Sequence, residues 1–289
     1  LTLIGGYRTL AITDSSLINQ SPENSLIGRI DYEARWFKNA LNWSTFYEVG
    51  SGLEQKRTFI YIKVNDGQGV YTWVDYNNDG VKDLNEFEIA QYVDQASYIR
   101  IFTPSNDYVK TYSNELNQGI FWRPEKIWAK KKGFLGLMAK FSNQTRIRIN
   151  QKTSLFDPST FFNPFANAIA DTNLLSTGAL IRNALYFNRT SNVINAEYTY
   201  QDSKNKSLLA SGFDSKRNKY HEIFTRWNII PTFSIELKGQ KGAKSAFADY
   251  TTNRNYSFGY QSLLSSFIYQ ASTNYRLTLD GRIIDKKNE

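Results

Sequence analysis

Apolar and polar residues alternate one for one over long stretches of this chain, the period expected of strands whose two faces meet different surroundings. In residues 232–241, Phe233, Ile235 and Leu237 alternate with Thr232, Ser234, Glu236 and Lys238. Residues 26–36 set Ile30, Tyr32, Ala34 and Trp36 against Arg29, Asp31, Glu33 and Arg35. Residues 41–49 carry Leu41, Trp43, Tyr47 and Val49 on one side. The same period predicts strands at 135–149, 181–187 and 194–200, and at 255–261 with Tyr256, Phe258 and Tyr260 on the apolar side. It runs longest from Ser266, where Phe267, Tyr269, Tyr275, Leu277 and Leu279 share a side. With further strands at 1–11, at 108–122 and ahead of residue 230, about eleven are predicted, each near the ~9–11 residues with which a tilted strand spans a bilayer.

The connections sharpen this picture. Short links are predicted at 38–39, 190–191, 230–231 and 264–265, and longer polar stretches at 14–25, 202–217 and 242–253. Alternating tight turns and long loops is the pattern of an outer-membrane barrel, with the turns on the periplasmic side. A further periplasmic turn is expected at 123–132. The expected fold is therefore all-β, an antiparallel transmembrane β-barrel with an insertion. Residues 1–50 supply barrel strands, 51–106 an extracellular insertion, and 107–289 barrel strands with long extracellular loops. An odd strand number and strand patterns at both termini suggest a partial barrel cut from a longer protein. A soluble two-sheet protein is the alternative, since antiparallel sandwiches alternate as well.

Composition favours the barrel. Hydrophobic residues are only 41% of the 289, while aromatic residues reach 15%, so material for a thick two-layer core is short. No run approaches the ~18 apolar residues of a membrane helix. The absence of cysteine excludes disulfides and thiolate metal sites. The net charge of +8 is spread through strand-like segments, apart from Lys130, Lys131 and Lys132, so no nucleic-acid partner is expected. The single histidine, His221, falls in alternation with Ile223, Thr225 and Trp227 and is expected to face lipid or headgroups. No nucleophile–base constellation surrounds it, and an enzyme is not expected.

One motif carries specific chemistry. Residues 75–86 read DYNNDGVKDLNE and match the twelve-residue calcium loop at each ligand position. Asp75, Asn77 and Asp79 offer side-chain oxygens at positions 1, 3 and 5. Gly80 permits the sharp turn, Val81 offers its carbonyl, Asp83 binds directly or through water, and Glu86 closes the site with two oxygens. A hard cation such as Ca2+ takes six to eight oxygens, which this spacing gathers on one short coil. The flank 69–74 reads as a strand and Lys82 replaces an apolar residue, so a lone structural loop is expected rather than a helix-loop-helix hand.

The run 69–88, GVYTWVDYNNDGVKDLNEFE, is followed by YIRIFTP at 98–104 and by Phe162-Asn163-Pro164-Phe165. In this order of aromatic strand, calcium loop and strand, the chain resembles a family of large, poorly characterised outer-membrane proteins of Bacteroidota. The resemblance covers roughly residues 57–165. It implies a surface-exposed envelope protein and supplies no activity. The function expected is a non-enzymatic barrel of the bacterial outer membrane, serving transport or embedded in a larger envelope complex. Its partners would be outer-membrane lipid and, through the apolar loop 155–170, other envelope proteins, unless that loop folds onto the barrel mouth. A secreted, calcium-stabilised β-domain for adhesion or glycan binding is the competing expectation.

Overall fold

The computed structural model describes residues 1–10, 23–76, 78–166, 172–209, 212–249 and 255–288. The protein is all-β. Its strands are β1 (Thr2–Leu10), β2 (Glu23–Trp36), β3 (Leu41–Lys63), β4 (Tyr71–Trp73), β5 (Phe87–Ile89), β6 (Tyr98–Trp122), β7 (Phe141–Thr153), β8 (Leu174–Phe187), β9 (Ile194–Leu209), β10 (Gly212–Ile230), β11 (Phe233–Ala248), β12 (Tyr256–Gln270) and β13 (Arg276–Asn288). Three short helices, α1 (Glu125–Trp128), α2 (Gly133–Met138) and α3 (Pro158–Phe161), lie in connections. Apart from β4 and β5, the strands form one antiparallel sheet in chain order, from β1 through β3 and β6 to β13. No pairing joins β1 to β13 among the described residues, so the sheet is open.

The register fixes two faces. On one face, Trp36, Ala34, Tyr32 and Ile30 lie opposite Leu41, Trp43, Thr45 and Tyr47. That row continues across the sheet through Ile120 and Leu116, Ile147 and Ile181, Leu185 and Tyr198, and Ile223. Trp227 and Ile235, then Phe267 and Leu279, complete it. Many of these side chains are exposed, including Ile223, Leu237, Leu263 and Leu279. The other face is polar and laced with ion pairs: Arg29–Asp31 at 2.7 Å, Arg148–Glu115 at 3.4 Å, Arg226–Glu236 at 3.6 Å and Lys238–Glu222 at 3.1 Å. A cross-strand neighbour always shares a face, so one register carries the division through the whole sheet.

Among the described residues no second sheet packs on this one. Its accessible surface is 19352 Å², against about 12,600 Å² for a soluble monomer of this mass. Fully buried apolar side chains are few and scattered. Backbone pairing over long registers, rather than a packed interior, is what orders these strands.

Three expected connections fall where the alternation places them, at 37–40, 188–193 and 231–232. The first is a tight left-handed turn in which Phe37, Lys38 and Asn39 all have positive φ, and the Ala40 N–H donates to the Phe37 carbonyl at 3.0 Å. The expected link at 264–265 is not a link. β12 runs unbroken through it, and the chain turns instead at 271–275, where Ser272, Thr273 and Asn274 supply the small polar residues of a turn. As a result Phe258 and Tyr260 lie on the polar face, opposite Lys244 and Gly242, while Leu263, Phe267 and Tyr269 lie on the apolar one. The strand expected at 135–149 begins only at Phe141, because Phe134, Leu135, Leu137 and Met138 follow a helical period and form α2. The turn expected at 123–132 is correspondingly the longer connection 123–140. The polar stretches 202–217 and 242–253 are mostly not loops. β9 and β10 pair as far as Leu209 and Gly212, and β11 continues to Ala248, so these hairpins extend as paired strand. The expected loop at 14–25 lies largely outside the described residues. The expected insertion 51–106 includes the paired ends of β3 and β6, and the part between them is 64–97.

Candidate metal centre

The segment 64–97 folds back against the far ends of β3 and β6. β4 pairs with β5 over Tyr71–Ile89, Thr72–Glu88 and Trp73–Phe87, and Tyr71 also pairs with Tyr98 of β6. A small aromatic cluster joins it to the sheet. The Tyr61 and Phe87 rings stack at 3.9 Å, and Tyr71 and Tyr98 approach this pair edge-on at about 5 Å. Gly69 is required by close approach, because a Cβ there would meet the Tyr98 backbone nitrogen and oxygen at 2.6 Å. This ending of the strand in the sequence Val74-Asp75 leads directly into the acidic loop.

The loop turns where its residues permit. Gly80 has φ +71 and Asn78 φ +57, left-handed conformations that glycine and asparagine tolerate. The Gly80 N–H donates to Asp75 Oδ2 at 2.9 Å, and the Val81 N–H donates to Asp79 Oδ1 at 2.7 Å. These bonds curl the backbone around the carboxylates. A short 3-10 turn, Leu84–Glu86, then carries Glu86 back beneath the coil. The flanks are strands on both sides, as the sequence at 69–74 suggests.

Asp75, Asp79 and Glu86 are brought together, with a ligating oxygen from each within 4.8 Å of the others. Glu86 is only 2% exposed, unusual for a glutamate. Its Oε2 accepts from Trp73 Nε1 at 2.9 Å and from the Asp83 N–H at 3.3 Å. Asp75 Oδ1 is buried with no hydrogen-bond partner. Burying carboxylate oxygens carries a large desolvation penalty unless a cation compensates it. The buried Glu86 and the orphaned Asp75 oxygen therefore fit a bound hard cation. The remaining expected ligands are placed less completely. Asp83 is exposed and outside the three-carboxylate group, consistent with contact through water rather than with direct ligation. The Val81 carbonyl accepts from the Asp83 N–H at 3.2 Å and retains a second lone pair. Asn77 lies outside the described residues.

Sequence reasoning missed Trp73, whose indole N–H holds the closing glutamate, and Glu88, which accepts from the Tyr76 hydroxyl. That contact is the main reason the Tyr76 hydroxyl titrates above its ordinary range. The alternation 71–73 and 87–89 was the available signal, since it pairs Trp73 with Phe87 across the loop's mouth. Lys82, which stands where a helix-loop-helix hand has an apolar residue, meets two aromatic rings. Its Nζ lies 5.3 Å above both the Trp73 and Tyr98 rings.

The apolar connection 154–166 packs elsewhere, on the apolar face of β3, β6 and β7. Asn114 Nδ2 donates to the Thr160 carbonyl at 2.7 Å, Gln151 Nε2 to the Ala166 carbonyl at 3.0 Å, and the Tyr47 hydroxyl to the Phe162 carbonyl at 2.9 Å. Phe161 is buried against Tyr112, while Leu155, Phe156, Phe162 and Phe165 remain exposed. Asp157 caps α3, and its bonds from Ser159 hold its carboxyl below the usual range. Residues 167–170 of the expected partner loop lie outside the described residues. His221 stands at the polar border of the apolar face, its Nδ1 sharing a 2.8 Å hydrogen bond with the Tyr198 hydroxyl. No protein family, curated protein or solved structure is matched by this chain.

Proposed function

We propose that this protein is a non-enzymatic membrane-embedded β-sheet protein of a bacterial outer membrane. It forms all or part of a barrel wall that serves transport or anchors a larger envelope complex. The observation that carries this reading is the graded apolar face. From the short connections, β10 to β13 present a mostly apolar face for about seven to nine positions, close to the ~9–11 that a tilted strand needs to span. Beyond that belt the same face turns polar, with Lys241, Lys219 and Asp202. A soluble sandwich would cover such a face with a second sheet. On this reading the ion-paired face lines a lumen, and the metal loop stands on the long-hairpin side, outside the cell. Ca2+ there is structural, tying 64–97 into one shape. The sequence resemblance to Bacteroidota outer-membrane proteins points the same way.

The test is partition. Membranes from expressing cells are washed with alkaline carbonate and the protein is followed through flotation. Retention with the outer membrane, and a requirement for detergent to remain monodisperse, are expected. Release by carbonate as a detergent-independent monomer would overturn the reading and favour the secreted adhesion or glycan-binding domain.

A further inference from the structure

Just beyond the apolar belt, strands β9, β10 and β11 carry a basic patch. On the apolar face, the register sets Lys204 opposite Arg217, Asp202 opposite Lys219, and Tyr200 opposite His221, which is opposite Lys241. One step toward the short turns, the same columns hold Tyr198, Ile223, Gly239 and Leu263. Hence the face passes from apolar to aromatic to cationic within a few residues. Lys204, Lys219 and Lys241 are exposed. Arg217 grips Asp202 at 2.7 and 3.1 Å, which answers the one acid among these positions.

A groove opens beside Lys241. Gly239 has nothing within 4 Å of where a Cβ would stand, and Ile223 and Leu263 form the walls beside it. The groove has a volume of about 470 Å³ and is bounded at its upper end by His221, Lys241, Gln261 and, opposite Gln261, the carboxylate of Asp285. An apolar trough that ends at Lys241, with Lys219 and Lys204 on the next rows of the same face, is complementary to an amphiphile with an acyl chain and an anionic head.

We propose that this patch binds the phosphorylated headgroup of a lipid in the leaflet on the long-hairpin side. Lys204, Lys219 and Lys241 meet the phosphate, and one acyl chain lies along Gly239. The inference rests on the membrane-embedded reading and adds a lipid site to it. The whole chain, purified in a neutral detergent, is titrated with lipid A carrying its phosphates, with dephosphorylated lipid A, and with inorganic phosphate, and bound molecules are counted by native mass spectrometry. The expected result is binding of the phosphorylated lipid alone. The triple variant Lys204→Gln, Lys219→Gln, Lys241→Gln should bind at least tenfold more weakly, while Lys238→Gln on the polar face should stay within twofold of wild type. Equal binding by the triple variant, or equal binding of the dephosphorylated lipid, would overturn the proposal. Capture of inorganic phosphate with comparable affinity would overturn it as a lipid site. Insertion into neutral phospholipid vesicles is scored in parallel. If wild type and triple variant both insert but only wild type selects the phosphorylated lipid, the proposal holds. If both insert and neither selects it, this inference fails alone. If neither inserts, the membrane reading fails and carries the inference down with it.

Discussion

β10 and β11 pair from Asp214 to Ile230 with one irregularity, whereas β4 and β5 in the metal-loop segment share only three paired positions. Both regions are rich in aromatic residues, yet they are ordered by different means. The sheet gains from every added rung of backbone pairing, so its order is spread over its length. The segment 64–97 concentrates its order in a few rings around Tyr61 and Phe87 and in three grouped carboxylates, of which Glu86 is buried and Asp75 has one buried oxygen. The lesson is that removing one interaction should matter little to the sheet unless it offends the surroundings of a face. Removing the cation should matter greatly to the insertion and hardly at all to the sheet.

The largest expected effect tests the sheet. Leu237→Arg, in the belt of the apolar face, should destabilise the folded protein in bilayers by ~2–4 kcal/mol. Ser266→Arg, directly opposite Glu236 on the polar face, should change stability by less than about 1 kcal/mol. Denaturant titration in lipid vesicles reads both. Equal penalties on the two faces would erase the distinction between them.

Next comes the cation. A ligand that binds only the ordered loop stabilises it by about 2.7 kcal/mol when present at a hundred times its dissociation constant. Chelation should therefore raise proteolytic cutting within 64–97 while β6 to β13 remain resistant in detergent. Asp75→Asn and Glu86→Gln should reproduce the effect with calcium present. Unfolding of the sheet on chelation would show that the two regions are not independent. Unchanged cutting, with no calcium found by equilibrium dialysis, would remove the metal from the account.

The smallest effect concerns His221. Its bond to Tyr198 is exposed, and His221→Ala should cost less than about 1 kcal/mol. It should leave any transport measured in the intact protein unchanged within twofold. A hundredfold loss would give this residue a chemical role that its neighbours do not suggest.

Much of the sheet was legible because alternation and register are the same constraint seen in one and in two dimensions. Trp36 and Leu41 flank a turn that the pattern locates, and Phe233 follows another. The alternation misled where its physical cause ended. In β12 the apolar positions switch sides between Tyr260 and Leu263, which reads as a link, but the strand has only left the belt. Above the belt nothing requires the face to be apolar, and Phe258 turns to the other side beneath Lys286. For the same reason the basic patch was invisible in the sequence. Lys204 and Arg217 lie in a stretch that looks like a polar loop and Lys241 at the end of an expected strand, and only pairing shows that they share a face. The grouping of Asp75, Asp79 and Glu86 was legible because these residues are local in sequence. Trp73 was not, since its partnership with Glu86 depends on β4 returning to β5.

The claim that the apolar face lies in hydrocarbon has a direct test, made simple by the absence of cysteine from the chain. Single cysteines are introduced as Ile223→Cys, Leu237→Cys and Leu263→Cys on the apolar face. Glu222→Cys, Lys238→Cys and Ser262→Cys provide their counterparts on the polar face. Each is labelled with a small fluorophore and the protein is reconstituted in vesicles of lipids brominated along the acyl chain. Strong quenching at 223, 237 and 263, with little at 222, 238 and 262, is the expected result. Equal quenching at adjacent positions, or none at all six, would contradict a sheet with one face against lipid.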